Sequence, residues 1–141
     1  MGKNRKELQL LLKIVAFLYT KTDLLWYFTG PDAYLAVLSK SAHPYMMAVA
    51  KKKAKTMGNR AGIPDICILD SPPALDGCKG VYIELKVDKN SPSKEQKEWF
   101  EDLRSRGYHV EVVKDSINNF KQCLSDLGYD FKGKASLQSS S

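Results

Sequence analysis

The sequence predicts an α/β fold, a mixed β-sheet flanked by helices, and three observations predict it. Residues 80–87, GVYIELKV, alternate strictly: Val81, Ile83, Leu85 and Val87 fall on one face, Tyr82, Glu84 and Lys86 on the other, which is the period of a strand. Segments with helical periodicity and clear start and stop signals interleave with strand-like runs along the chain. The length, 141 residues, suits one domain with a genuine core and no disulfide or metal staple.

Taken in order, residues 4–20 predict an amphipathic helix with Leu8, Leu11, Leu12, Val15 and Leu18 at helical spacing. LLWYF, 24–28, reads as a short buried strand ended by Gly30 and Pro31. Residues 32–41 fit a helix or a hairpin equally. Ser41 is placed to cap a second helix carrying Met47, Ala50, Ala54 and Met57 on one face and lysines around the other, ended by Gly58. DICIL, 65–69, predicts a strand, and a turn-rich loop leads from it into the strand at 81–87. The next helix starts at SPSKEQ, where Ser93 and Gln96 stand in capping-box spacing, and stops at Gly107. YHVEVV, 108–113, is a further strand. A last helix, 116–127, turns Ile117, Phe120, Leu124 and Leu127 inward and ends at Gly128. Residues 1–131 thus form the expected single domain, and 132–141 a polar, disordered tail.

Lysine and arginine outnumber aspartate and glutamate 22 to 16, and the imbalance is local. Lys51, Lys52, Lys53, Lys55 and Arg60 lie in a stretch with no acid between Ala42 and Pro64. Such a block suits a polyanion, of which nucleic acid is the commonest inside cells; a solvated helix face explains it equally well. Cys67, Cys78 and Cys123 have no ligand-like spacing, which argues against zinc and for a reducing compartment. Gln9 and Lys13 interrupt the apolar N-terminal run, and no run approaches the length of a membrane span. The expectation is an intracellular, soluble protein with no membrane partner.

The polar face of the 81–87 strand raises the chemical question. With the two strands paired, Asp65 at the start of one lies close to Glu84 in the other. Two carboxylates meeting there repel unless a cation sits between them, and Mg²⁺ or Mn²⁺ is the usual one, because hard cations prefer oxygen ligands. Lys86, one pleat beyond Glu84, projects on the same face, placed to hold or polarise a water or to offset charge on a phosphate. Gln96 shares a face with Trp99, Phe100 and Leu103, so it either faces a cavity or only completes the cap with Ser93. Glu7 lies on the stripe of Leu11, Ile14 and Leu18, and either points inward or frays in the first turn, satisfied by the helix dipole. His43 and His109 match no motif, and no serine or cysteine has a paired base.

Four blocks in this order, G-x-P-D (Gly62 to Asp65), I-E-L-K (Ile83 to Lys86), S-K-E-Q (Ser93 to Gln96) and G-Y (Gly107, Tyr108), resemble the VRR-NUC domain. That is the virus-type replication-repair nuclease branch of the PD-(D/E)xK superfamily. The resemblance covers roughly residues 46–127, including KAKTMGNRAG. It implies a restriction-endonuclease-like fold and a metal-dependent, structure-selective phosphodiesterase acting on branched or duplex DNA. Asp65 and Glu84 would bind Mg²⁺ or Mn²⁺ with help from the Leu85 carbonyl, Lys86 would be the catalytic lysine, Gln96 the helix glutamine, and Glu7 the first-helix glutamate. Lys51, Lys52, Lys55 and Arg60 would flank the DNA. The chain departs from the family where Thr29-Gly30-Pro31-Asp32 stands for Pro-Asn-Gly, and residues 32–44 have no counterpart. The family's stand-alone members imply a homodimer, with residues 32–45 as the expected interface. A non-cutting nucleic-acid-binding module and a restriction-like or exonucleolytic enzyme are the competing readings; the intact Asp65, Glu84 and Lys86 set argues against the first.

Overall fold

Strict alternation at 81–87 builds the centre of the sheet. The computed structural model describes residues 2–29 and 62–131, with Val49 and Lys52 between them. Its elements run α1 (Gly2–Lys21), β1 (Trp26–Phe28), β2 (Ile66–Ile68), β3 (Val81–Lys86), α2 (Lys94–Ser105), β4 (His109–Lys114) and α3 (Ile117–Asp126). Among the described residues the strands form one mixed four-stranded sheet in the order β1-β2-β3-β4. β1 and β2 are antiparallel with Tyr27 opposite Cys67, β2 and β3 antiparallel with Ile66 opposite Ile83, and β3 and β4 parallel with Glu84 beside Val112. The parallel pair needs a crossover, which α2 supplies.

The core divides by sheet face. Ile66, Ile68, Val81, Ile83, Leu85 and Val113 pack against Ile14 and Leu18 of α1 and Phe120 and Leu124 of α3. Phe17 meets Phe120 edge-on at 6.2 Å between ring centroids. Truncating the fully buried Phe120 to alanine would cost about 3–5 kcal/mol. On the opposite face Phe100 and Leu103 of α2 cover Val110, with Tyr82, Trp99, Tyr108 and Val112 around them. The capping box forms: Ser93 Oγ accepts from Gln96 N at 3.1 Å, and Ser93 N donates to Gln96 Oε1 at 2.8 Å.

Two expectations change. Leu12 is 54% exposed, because the buried stripe of α1 runs through Leu10, Leu11, Ile14, Phe17 and Leu18; at about 100° per residue, position 12 turns away from it. The strand at 24–28 shortens to three residues at the sheet edge, where Tyr27 is 44% exposed and Leu25 62%. It is apolar but not buried, since among the described residues only β2 flanks it. On the polar face of β3, Glu84 is buried. The helix expected after Ser41, the segment 32–45 and the tail 132–141 lie outside the described residues, apart from Val49 and Lys52, both helical. No described helix is long and apolar enough to cross a membrane.

Candidate active site

The polar face of β3 meets the start of β2 and of α2 at one point. Asp65 precedes β2, and its Oδ2 accepts the Leu85 backbone N–H at 2.8 Å. Thr29, just past β1, holds this corner: its N–H donates to the Asp65 carbonyl at 2.8 Å and its hydroxyl to the Pro64 carbonyl. Gly62 enters the corner at φ +90°, and a Cβ there would stand 2.9 Å from Trp99 Cδ1 and 3.0 Å from Glu95 Cγ. Glycine is thus required twice, for the left-handed backbone and for the close approach of α2.

Glu84 is the centre of the arrangement. Its Oε2 accepts Gln96 Nε2 at 2.9 Å and stands 3.2 Å from Lys86 Nζ. Its Oε1 is buried and has no hydrogen-bond partner among the described residues. Burial, then the charge of Asp65, raises the Glu84 carboxyl to about 8, with Lys86 pulling it back and Glu7 adding to the rise. Glu7 is also raised by burial and lowered by Lys86, so α1 brings a third acid into the field of the same lysine. The inward reading of Glu7 therefore describes it better than a solvated first turn.

Both readings of Gln96 hold together. Its Oε1 completes the cap with Ser93 while its Nε2 faces Glu84. Of the sequence-expected site residues the structure brings Asp65, Glu84, Leu85, Lys86 and Gln96 into one cluster, with Glu7 coupled to it. Of the basic block only Lys52 is described, exposed and helical; Lys51, Lys55 and Arg60 lie outside the described residues. His109 sits on the other sheet face, bonded through Nε2 to Glu111. Cys67, Cys78 and Cys123 are free thiols, and Cys67 is fully buried in β2.

Thr29 escapes a reading of the sequence. A signal is present, because it opens the segment that departs from the family pattern, but only strand pairing shows it facing Asp65.

A buried carboxylate pushed toward neutrality, with one oxygen orphaned and a second carboxylate beside it, fits a hard divalent cation. Among the described residues no group of three or more His, Cys, Asp or Glu side chains is arranged to hold a metal. Asp65 and Glu84 would be the side-chain ligands, and the rest would be carbonyl and water oxygens. In an antiparallel ladder a residue's N–H and C=O face the same neighbour, so the Leu85 carbonyl opens toward the side on which Asp65 takes its N–H.

The family profile of the VRR-NUC domain matches residues 18–116, a span that includes Asp65, Glu84, Lys86 and Gln96. A solved structure described as a VRR_NUC domain protein is 37% identical, with a TM-score of 0.46, over 55% of this chain and 64% of that one. This chain thus spans somewhat less than two thirds of that relative's length. No curated protein matches.

Proposed function

Because the chain belongs to the VRR-NUC domain family, a family of nuclease type, we propose that it is a divalent-metal-dependent, structure-selective DNA endonuclease. The observation that carries this is Glu84: a buried carboxylate with an orphaned oxygen, set between Asp65 and Lys86. A strand interior rarely tolerates such a group unless function requires it.

Asp65 and Glu84 would hold Mg²⁺ or Mn²⁺, with the Leu85 carbonyl alongside. The bound ion would supply Lewis acidity, activating water and offsetting charge on the scissile phosphate. Gln96, fixed by its own helix cap, would keep Glu84 in one rotamer with its free oxygen available. Lys86 is tethered to Glu84 at 3.2 Å, so its ammonium would orient the attacking water and meet the negative charge that grows on the phosphoryl oxygens. Glu7, within the field of Lys86, would adjust the charge of that ammonium's surroundings. The basic stretch from Lys51 through Arg60 would carry duplex DNA to the site, and a two-fold dimer would present two such sites to the two strands of a junction.

The test is purified protein with Mg²⁺ or Mn²⁺ against junctions, flaps, nicked and linear duplexes, with chelator controls. Cleavage that chelation abolishes, and that Asp65→Asn loses while the protein stays folded, is expected. Binding of DNA without cutting under all conditions would instead make the protein a binding module, and undiminished cutting by Asp65→Asn would move the active site elsewhere.

A further inference from the structure

The parallel pairing of β3 with β4 sets Lys86 directly beside Lys114. Lys114 continues the alternation of Val110 and Val112, which pack on the α2 side with Tyr82, so its side chain leaves the sheet on the face that carries Glu84 and Lys86. Like charges side by side on neighbouring strands are unfavourable, and this pair is not partnered symmetrically. Lys86 has Glu84. Lys114 is exposed and forms no ion pair among the described residues.

The acids nearest to it along the chain and across the strand ends are engaged elsewhere. Asp115 Oδ1 accepts the Asp88 N–H at 2.7 Å, and the Asp88 carboxylate takes Lys6 Nζ at 3.2 Å on both oxygens. Both aspartates hold left-handed backbone, φ 57° at Asp88 and 69° at Asp115, an uncommon and costly state outside glycine. The Lys114 carbonyl accepts Ser116 N at 2.8 Å and Asn119 Nδ2 at 2.6 Å, and Asp115 N donates to the Lys86 carbonyl at 2.9 Å. The backbones that bear the two lysines are therefore bolted together, while the Lys114 ammonium forms no ion pair among the described residues.

We propose that Lys114 binds the phosphodiester next to the scissile one in the same DNA strand, beside the phosphate on which Lys86 acts. This rests on the nuclease reading and names the part of the substrate that this edge of the site holds. Neighbouring strands lie about 4.8 Å apart, and two flexible lysine stems rising from them span successive phosphates of one backbone. The anion also relieves the repulsion that the empty pair carries.

The experiment compares wild type, Lys114→Ala and Lys114→Arg on a duplex whose cut position is mapped, with a single neutral methylphosphonate moved through the linkages around it. For Lys114→Ala the expected results are a melting temperature not below wild type, a KM for DNA raised about two- to fivefold, and a binding salt slope smaller by about one. Lys114→Arg should restore the slope. One methylphosphonate position adjacent to the cut should weaken wild type and leave Lys114→Ala no weaker than it already is. Metal-dependent cutting with the same salt slope and the same methylphosphonate penalties in Lys114→Ala as in wild type would overturn this assignment alone. A wild-type protein that cuts no DNA with either metal would overturn the nuclease reading, and the assignment with it.

Discussion

Replacing Glu84 by glutamine probes the electrostatics on which the proposed site depends. Burial and the Asp65 charge raise this carboxyl from 4.5 to about 8 in the folded chain. In the unfolded chain it ionises near its ordinary value, so between these two pH values the folded state binds more protons than the unfolded one. The stability that Glu84 contributes is therefore fully present below pH 4.5 and is lost as pH rises through 8. At about 1.4 kcal/mol for each pH unit separating the two values, the interval sets a ceiling on the order of 5 kcal/mol. Rearrangement of Lys86 and entry of water relieve part of that, and about 2 kcal/mol is a conservative remainder. For a chain of this length that moves Tm by roughly 6 °C. Glutamine keeps the shape and cannot ionise. Thermal unfolding of both proteins in chelator from pH 5 to 9 should therefore show the Tm of Glu84→Gln rising relative to wild type by about that amount. Using the difference between the two curves cancels any constant cost of the substituted amide. Adding Mg²⁺ or Mn²⁺ at about a hundredfold above its dissociation constant should return about 2.7 kcal/mol to wild type and little to the variant. Parallel Tm–pH curves for the two proteins would refute the reasoning, because Glu84 would then ionise in the fold as freely as in solution.

Lys86→Ala should nearly retain DNA binding and lose turnover by orders of magnitude, since its proposed work is in the transition state; a collapse of binding with turnover preserved would make it a phosphate anchor. Neutralising Lys51, Lys52 and Lys55 together should weaken binding evenly across DNA sequences and flatten its salt dependence by about one counterion for each phosphate no longer neutralised, and an unchanged slope would return them to a solvated face. Gln96→Glu keeps the capping box but sets a carboxylate against Glu84; cleavage should fall about 10- to 100-fold with α2 intact by circular dichroism, and wild-type activity would leave Gln96 as a cap alone. Light scattering should report about twice the 15.9 kDa chain mass, with paired nicks at a junction. A monomer that makes single nicks near a flap would keep the nuclease and discard the resolvase.

The elements legible in the sequence are those where one local signal is strong. Ser93, Gln96 and Gly107 mark both ends of α2 within one or two residues of its observed bounds, because a cap is a local hydrogen-bond device. Strand β3 is equally legible, since period-2 alternation over six residues admits no helix. The burial of β1 is not, because apolar composition reports affinity for a sheet and not position within it; LLWYF looks buried, yet among the described strands it lies at the edge. Leu12 is misplaced for a related reason: two stripes fit α1, and only the packed partner selects between them. In the site, the nearness of Asp65, Glu84 and Lys86 can be read from strand alternation and the pairing of β2 with β3. The part taken by Thr29 cannot, because its hydrogen bond to Asp65 joins residues far apart in sequence through strand pairing.

The same distinction explains why the site sits where it does. Glu84 is held from two directions by groups already committed to the fold. Gln96 reaches it only because its other amide atom is tied to Ser93, so the start of α2 and the rotamer of Glu84 are set together. Asp65 is held by the Leu85 N–H, which the β-ladder leaves open just beyond the last residue of β2 paired with β3. Gly62 then brings the Asp65 corner and α2 into contact at Trp99, closing the loop between the two carboxylates' supports. Any side chain at Gly62 would push these supports apart, and the orphaned Glu84 oxygen would lose its fixed relation to Asp65. A carboxylate as costly to bury as Glu84, with Asp65 beside it, persists because each of the two is over-determined by ordinary folding contacts. Those contacts belong to the fold itself, so under the proposed function the ligands of the cation would be set in advance and not assembled by it.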